Sequence, residues 1–342
     1  MTTGQMAKGN MQRIVLARHI VGAPTPDDFR LETLPIPALE DGQLLIANRF
    51  ISCDPGTRSR LSPGASYAPP LQPGQMVDGF AVGEVVESRH PRFAAGDLVM
   101  GTGWATHMVS NGRGYLSKVP DLGVPLSLWN GILGVPGMTS WFGLKRVANL
   151  QAGERVLVTS AAGPVGATAG QLAKIWGAGR VVGIAGGAEK CRWLVDTCGF
   201  DDALDYKAPD FEARLAEASQ DGWDVLFDNV GNASIDRALP VMRMKGRIVV
   251  SGQVADYNLT PAEAPGIHNT REFIGKRLRM EGMVVFDDLP HFPAAQAELA
   301  GLIRDGKVHY REEIFDGLAS LPGAFCGLFS GASFGRRLVR LV

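Results

Sequence analysis

The segment Val156-Leu157-Val158-Thr159-Ser160-Ala161-Ala162-Gly163-Pro164-Val165-Gly166 constrains this chain more than any other. An apolar strand runs into a glycine-bearing turn, and the turn runs into a helical stretch through Gln171-Leu172-Ala173-Lys174. This is the order of the dinucleotide fingerprint G-x-G-x-x-G, with Ala161 in the first place and Gly163 and Gly166 in the other two. A residue without Cβ at 163 lets the backbone approach a pyrophosphate, and one at 166 lets the helix sit close on the strand. The helix start then presents unpaired N–H groups and the positive end of its dipole. An ordinary tight strand-to-helix turn has the same local look, so the reading depends on what surrounds it.

From 152 onward strands alternate with helices. Strands are expected at 155–159, 180–184, 202–205, 224–227, 247–251 and 278–285, and helices at 165–176, 188–198, 211–217, 234–242 and 292–305. Such alternation implies a doubly wound parallel sheet. The first ~130 residues read differently, as short strands at 14–17, 43–47, 80–87 and 98–100 separated by Pro and Gly clusters. A strand at 310–314 and a helix at 321–330 return to that first style. The expected organisation is therefore a β-rich domain of residues 12–134 and 309–342, a nucleotide-binding domain of residues 135–308 inserted into it, and a flexible extension over residues 1–11.

Composition narrows the partners. Lys plus Arg number 34 and Asp plus Glu 35 in 342 residues, a net charge of −1 that does not suit a polyanion such as nucleic acid. No apolar run approaches the ~18 residues of a membrane span. The four cysteines, Cys53, Cys191, Cys198 and Cys326, form no disulfide framework and suit a reducing, cytoplasmic setting. A site that binds NAD places an acidic residue at the end of the second strand for the ribose hydroxyls. Here that strand runs into Ala185-Gly186-Gly187-Ala188-Glu189-Lys190, with small residues and then a lysine, which suits a 2′-phosphate better. Lys190 as an ordinary solvated lysine is the alternative.

Several blocks in fixed order then carry a resemblance. They are Cys53-Asp54-Pro55, Val135-Pro136-Gly137-Met138-Thr139-Ser140-Trp141-Phe142-Gly143-Leu144, residues 161–166, Glu189-Lys190, Asp205-Tyr206-Lys207, Phe227-Asp228-Asn229-Val230-Gly231 and Leu278-Arg279-Met280-Glu281. Over residues 11–342 the chain resembles the zinc-independent medium-chain dehydrogenases/reductases. Within them it is most similar to the prostaglandin reductase, leukotriene B4 12-hydroxydehydrogenase and alkenal double-bond reductase group. The resemblance implies an α/β fold in which a GroES-like β-rich catalytic domain joins a doubly wound Rossmann domain. It also implies NADP(H) as cofactor. Gly163, Pro164, Val165 and Gly166 would form the pyrophosphate turn, and Lys190 and Tyr206 would hold the 2′-phosphate. Asn229 lies past the next strand. Ser251, Gly252, Gln253, Val254 and Tyr257 would line the ribose and nicotinamide, and Met283, Val284 and Val285 would meet the carboxamide. Ser333 stands where the family usually has Asn.

The chemistry the resemblance implies is reduction of a carbon–carbon double bond activated by a carbonyl, in a small apolar enone or enal. A quinone reductase is the rival enzyme, and an NADPH-binding module with little turnover is the rival from another class. Zinc-dependent relatives carry Gly-His-Glu where this chain has Gly79-Phe80-Ala81, so no metal is expected and Cys53 is expected to be a buried apolar residue. Two tyrosines usual in the group fall at Gly56 and Gly275, which predicts a roomier pocket. Tyr67 and Tyr257 are the remaining candidates for the proton donor, and His107 is the histidine that merits notice. By resemblance a homodimer is expected, with 278–285 at its two-fold.

Overall fold

The computed structural model describes residues 9–63, 68–260 and 262–341. The chain divides into two compact units. The first comprises residues to Asn130, Glu312–Ser333 and Arg337–Val342, and the second Gly131–Arg311 with Phe334–Arg336. The expected extension over 1–11 falls outside the described residues as far as residue 8. Asn10 and Met11 belong instead to a strand, paired with Pro35 and Leu34.

The first unit is β-rich. Strands β1 (Asn10–Leu16) and β2 (Phe29–Pro35) form an antiparallel pair. Five strands follow: β3 (Leu44–Ser52), β4 (Phe80–Ser88), β5 (Leu98–Thr102), β6 (His107–Ser110) and β7 (Ser117–Lys118). Ile14, Leu16, Ile51, Leu61, Val77 and Trp104 are buried together in its core, and Cys53 joins them at 1% exposure. Alternation of apolar and polar residues, with turns rich in Gly and Pro between, is what such half-buried strands require.

The second unit opens with helix α1 (Val135–Phe142), a helix the residue pattern alone did not indicate. Pro136 at its start is compatible with helix. Gly137 is required by packing, because a Cβ there would fall 1.6 Å from the Ile132 carbonyl oxygen. The alternating elements follow: β8 (Arg155–Val158), α2 (Pro164–Ile175), β9 (Arg180–Ala185), α3 (Ala188–Asp196), β10 (Asp202–Asp205), α4 (Phe211–Ala218), β11 (Trp223–Asp228), α5 (Asn232–Ala238), β12 (Met242–Val250), the short helix α6 (Arg271–Lys276), which was not expected, β13 (Arg279–Gly282) and α7 (Phe292–Arg304). The fourth expected helix, 234–242, ends at Ala238 instead, because the chain passes Pro240 and strand β12 begins at Met242. The sixth expected strand, 278–285, is only four residues long, because a 3₁₀ turn begins at Val285.

These strands make one parallel sheet in the order β10-β9-β8-β11-β12-β13. Its central strands are apolar on both faces, as a sheet covered by helices on both sides demands. Leu157, Val182, Leu204, Leu226 and Ile248 share one core with Phe211, Leu215 and Ile235 from the helices. Among the described residues the edge strand β13 pairs only with β12. The chain then returns through β14 (Glu312–Asp316), α8 (Leu321–Cys326) and β15 (Arg336–Arg340). The seven-stranded sheet of the first unit runs β14-β15-β3-β4-β5-β7, with β6 paired to β3.

Candidate functional site

Strand order in the second unit reverses between β8 and β11: the chain moves outward from β8 through β9 to β10, then returns to β11 beside β8. In open sheets of this kind ligands bind in the crevice at that reversal, beyond the carboxyl ends of the strands. The glycine turn follows β8 directly. Ser160 has φ +48°, and Ala161 N donates to Ile184 O at 2.9 Å, so the turn is hung on the neighbouring strand. Gly163 is the N-cap of α2 in extended conformation, and Pro164 occupies the first helical turn. The two glycines do different work. A Cβ at Gly166 would meet Ser160 O at 2.6 Å and Ala161 Cα at 2.7 Å, so this residue is small for helix–strand packing. A Cβ at Gly163 would have only Ser160 atoms near it, at 3.3 and 3.5 Å. Gly163 itself adds no side chain to that surface. Alanine at 161 is admitted because β9 is cut away opposite: a Cβ at Gly183 would lie 2.8 Å from Ala161 Cβ.

Three strand ends are tied into one polar network. Thr159 Oγ1 donates to Asp228 Oδ1 at 2.7 Å and accepts the Asn229 N–H at 2.9 Å. Asn229 Nδ2 donates to Thr159 O at 2.8 Å, and Ser251 Oγ donates to Asn229 Oδ1 at 2.6 Å. Asn229 and Ser251, both expected at the cofactor, thus hold one another in place. Asp228 is fully buried, and its Oδ2 accepts the N–H groups of Gly231 at 2.8 Å and Val230 at 3.2 Å. Burial pushes the Asp228 carboxyl up, while hydrogen bonds from Thr159, Gly231, Ser234 and Val230 pull it down. Thr159 and Asp228 received no role from the sequence. Their signal was a hydroxyl and a carboxylate at the ends of adjacent strands, which becomes meaningful only once the strands are known to be neighbours.

The ends of β9 and β10 carry the second group of expected residues. Lys190 lies in the first turn of α3, half-buried, and Tyr206 directly follows β10. Tyr206 is half exposed and its ring covers Gly186, where a Cβ would lie 2.8 Å from it. Lys207 Nζ stands 5.8 Å from the centre of that ring. Although β9 ends without an acidic residue of its own, Asp205 on β10 brings a carboxylate alongside. Its Oδ1 accepts Gly187 N at 2.8 Å and Lys207 N at 2.9 Å, so it shapes the turn into α3.

In the loop after β12, Val254 N donates to Asn229 O at 3.2 Å, and Gln253 N donates to the Tyr257 phenol oxygen at 3.3 Å. A Cβ at Gly252 would lie 3.8 Å from that oxygen. The half-buried Tyr257 is thereby folded over its own loop. Met283 N donates to Val250 O at 3.3 Å, Val284 is exposed and Val285 is buried. Ser333 is half-buried at the end of the segment that follows α8. Tyr67 lies outside the described residues, which omit 64–67.

In the first unit Phe80 meets the Tyr115 ring edge-on at 5.3 Å. Among the described residues no three His, Cys, Asp or Glu side chains are grouped so as to hold a metal ion. His107 is half-buried, and burial lowers its pKa. Among the described residues no helix is long and apolar enough to cross a membrane.

Comparison with known proteins agrees with this architecture. Residues 12–118 match the family described as N-terminal domain of oxidoreductase, and residues 164–301 the family described as zinc-binding dehydrogenase. The chain is 40% identical to an NADPH-dependent curcumin reductase of Escherichia coli (strain K12), over 99% of each chain. It is 39% identical to a 2-alkenal reductase (NADP(+)-dependent) of Nicotiana tabacum, over 96% of each. The crystal structure of CurA in complex with NADPH from Vibrio vulnificus superposes with a TM-score of 0.90 at 35% identity, covering 97% of this chain and 99% of that one.

Proposed function

Because this chain belongs to the medium-chain dehydrogenases/reductases, in their prostaglandin reductase and alkenal double-bond reductase group, we propose that it reduces the carbon–carbon double bond of α,β-unsaturated ketones or aldehydes. That it is an NADPH-dependent oxidoreductase follows from the family itself. The observation that carries the reading is the glycine turn at the sheet's reversal point, in a chain matched end to end by NADPH-dependent reductases.

The residues present fit the cofactor. The Cβ-free surface at Gly163 and the N–H groups at the start of α2, from Val165 and Gly166, suit the pyrophosphate. Lys190, in the first turn of α3, and Tyr206, directly past β10, suit the 2′-phosphate. The Asn229–Ser251 pair and the loop 252–257 suit the ribose and nicotinamide, and the backbone at 283–285 suits the carboxamide. When bound, the cofactor supplies the hydride, which goes to the substrate's β-carbon. Negative charge then builds on the carbonyl oxygen, where a hydrogen-bond donor stabilises it, and the α-carbon takes a proton. A phenol with a pKa near ~10 stays protonated at neutral pH and suits that task. Tyr257 and Tyr67 are the candidates, and Tyr257→Phe should lower kcat with little change in NADPH affinity. No metal takes part in this reading, which is supported by Phe80 and Ala81 in place of the ligand pair. The exposed Met280 and Val284 beside the open edge of β13 support a homodimer that continues the sheet.

Curcumin, the compound named for the Escherichia coli relative, is a large aryl-substituted enone. An aryl-substituted enone is the substrate class we propose on that ground; the roomier pocket expected from Gly275 gains no support, because Gly275 is exposed on α6 ahead of the amino end of β13, away from the carboxyl ends of the strands. The test is NADPH oxidation with an aryl enone, a small enal and a quinone in parallel. The aryl enone should give the highest kcat/KM. Turnover of the quinone with none of either enone would refute the reaction, and a higher kcat/KM for the small enal would refute the preference for aryl enones alone.

A further inference from the structure

We propose that Arg311 is a second cation of the 2′-phosphate site, beside Lys190, where it sets the preference for NADPH over NADH by offsetting Glu189. This rests on the reading of Lys190 and Tyr206 given above. Helix α3 begins Ala188-Glu189-Lys190. A carboxylate in the first turn stabilises a helix, but beside a doubly charged phosphate it repels. With Lys190 alone the start of α3 would carry no net charge to attract the phosphate.

The chain brings a second cation to this place from far along the sequence. Arg311 Nη2 lies 4.0 Å from Glu189 Oε1. Its guanidinium carbon lies 4.0 Å from the centre of the Phe334 ring, within cation–π range. Phe334 is buried and in turn meets Trp193 edge-on at 5.3 Å, one helical turn beyond Glu189 on α3. The backbone is held as well. Arg336 N donates to Arg311 O at 2.8 Å, and Gly335 N donates to Ala162 O at 3.0 Å in the glycine turn itself. Gly335 has φ +80°, and a Cβ there would fall 2.3 Å from Arg311 O, so the approach of these two segments depends on glycine. Arg311 is therefore anchored between the glycine turn and the start of α3, while its side chain keeps 45% of its exposure. An arginine is permanently charged and offers several donors to phosphate oxygens.

One added positive charge near a phosphate dianion, partly screened by water, corresponds to about a three- to tenfold change in affinity. The experiment measures Kd for NADPH and for NADH by fluorescence titration of the whole protein, free of turnover. Arg311→Gln should raise Kd for NADPH by about three- to tenfold and leave that for NADH within about twofold. Arg311→Lys should stay near wild type, and adding Glu189→Gln to Arg311→Gln should recover part of the loss. Rising salt should shrink the difference between wild type and Arg311→Gln. If Arg311→Gln alters both cofactors equally or neither, while Lys190→Ala weakens NADPH alone, the role of Arg311 is refuted and the site stands. If Lys190→Ala also fails to discriminate, the assignment of the 2′-phosphate site falls, and Arg311 with it.

Discussion

Replacing Gly166 by alanine probes the glycine turn where it is tightest. The new Cβ would stand 2.6 Å from Ser160 O and 2.7 Å from Ala161 Cα, against a preferred separation of about 3.5–4.0 Å. Both neighbours are backbone, in a turn that already holds Ser160 at φ +48°, so no side-chain rotation relieves the overlap. Either the turn or the start of α2 must move by most of an ångström. Overpacking of this kind costs about 1–3 kcal/mol. At about 2–4 °C per kcal/mol for a domain of this size, Tm should fall by about 2–12 °C. The N–H groups of the first turn of α2 move with it, and NADPH affinity should fall about tenfold, equivalent to about 1.4 kcal/mol. Gly163→Ala is the contrasting variant. Its Cβ meets only Ser160, at 3.3 Å or more, and its backbone is already extended, at φ −80°. Stability should change by less than about 1 kcal/mol, while NADPH binding weakens about tenfold or more because the methyl occupies the surface the pyrophosphate approaches. Scanning fluorimetry and fluorescence titration of the two variants separate these effects. If Gly166→Ala melts within about 1 °C of wild type, or Gly163→Ala binds NADPH as wild type does, the division between a packing glycine and a ligand glycine is wrong.

Three further outcomes are expected. Burial pushes the thiols of Cys191 and Cys326 up to about 11 and that of Cys198 to about 12, so none of these three should alkylate rapidly at neutral pH. Stoichiometric labelling of one of them within minutes by iodoacetamide, located by mass spectrometry, would contradict this. Dialysis against a chelator should leave enone reduction unchanged, and stoichiometric zinc by elemental analysis, with activity lost on its removal, would overturn the metal-free reading. Asp228 has a folded-state pKa raised chiefly by burial, so the folded form holds its proton more tightly than the unfolded chain. Relative to Asp228→Asn, wild-type stability should therefore decline as pH rises from the unfolded carboxyl value of about 3.9 to the raised folded value, and level off above it. Thermal melts across that range whose difference is flat or rises with pH would reject the assignment.

The division between what the chain declares and what folding decides follows the range of the interactions involved. The strand–turn–helix at 155–175 and the succession of strand and helix beyond it were legible because hydrophobic periodicity, Pro164 and the glycines are local properties of the backbone. Helix α1 was not, since Pro136, Gly137 and Thr139 are poor helix formers held helical by close packing. Strand β15 was not either. Its Arg336-Arg337 start reads as surface, yet both side chains are buried, and Arg337 is accommodated by Glu313 at 2.7 Å. Tyr206, Lys190, Asn229 and Ser251 could be named from motifs, but not their partners. Thr159 meets Asp228 and Asp205 caps the turn at Gly187 because parallel strands distant in sequence end side by side, and Arg311 reaches Glu189 because the segment after α7 returns past the start of α3. A sequence specifies which residues favour a strand end. Which strand ends become neighbours is set by the order in which the whole sheet buries its apolar faces, and that order is a property of the tertiary structure.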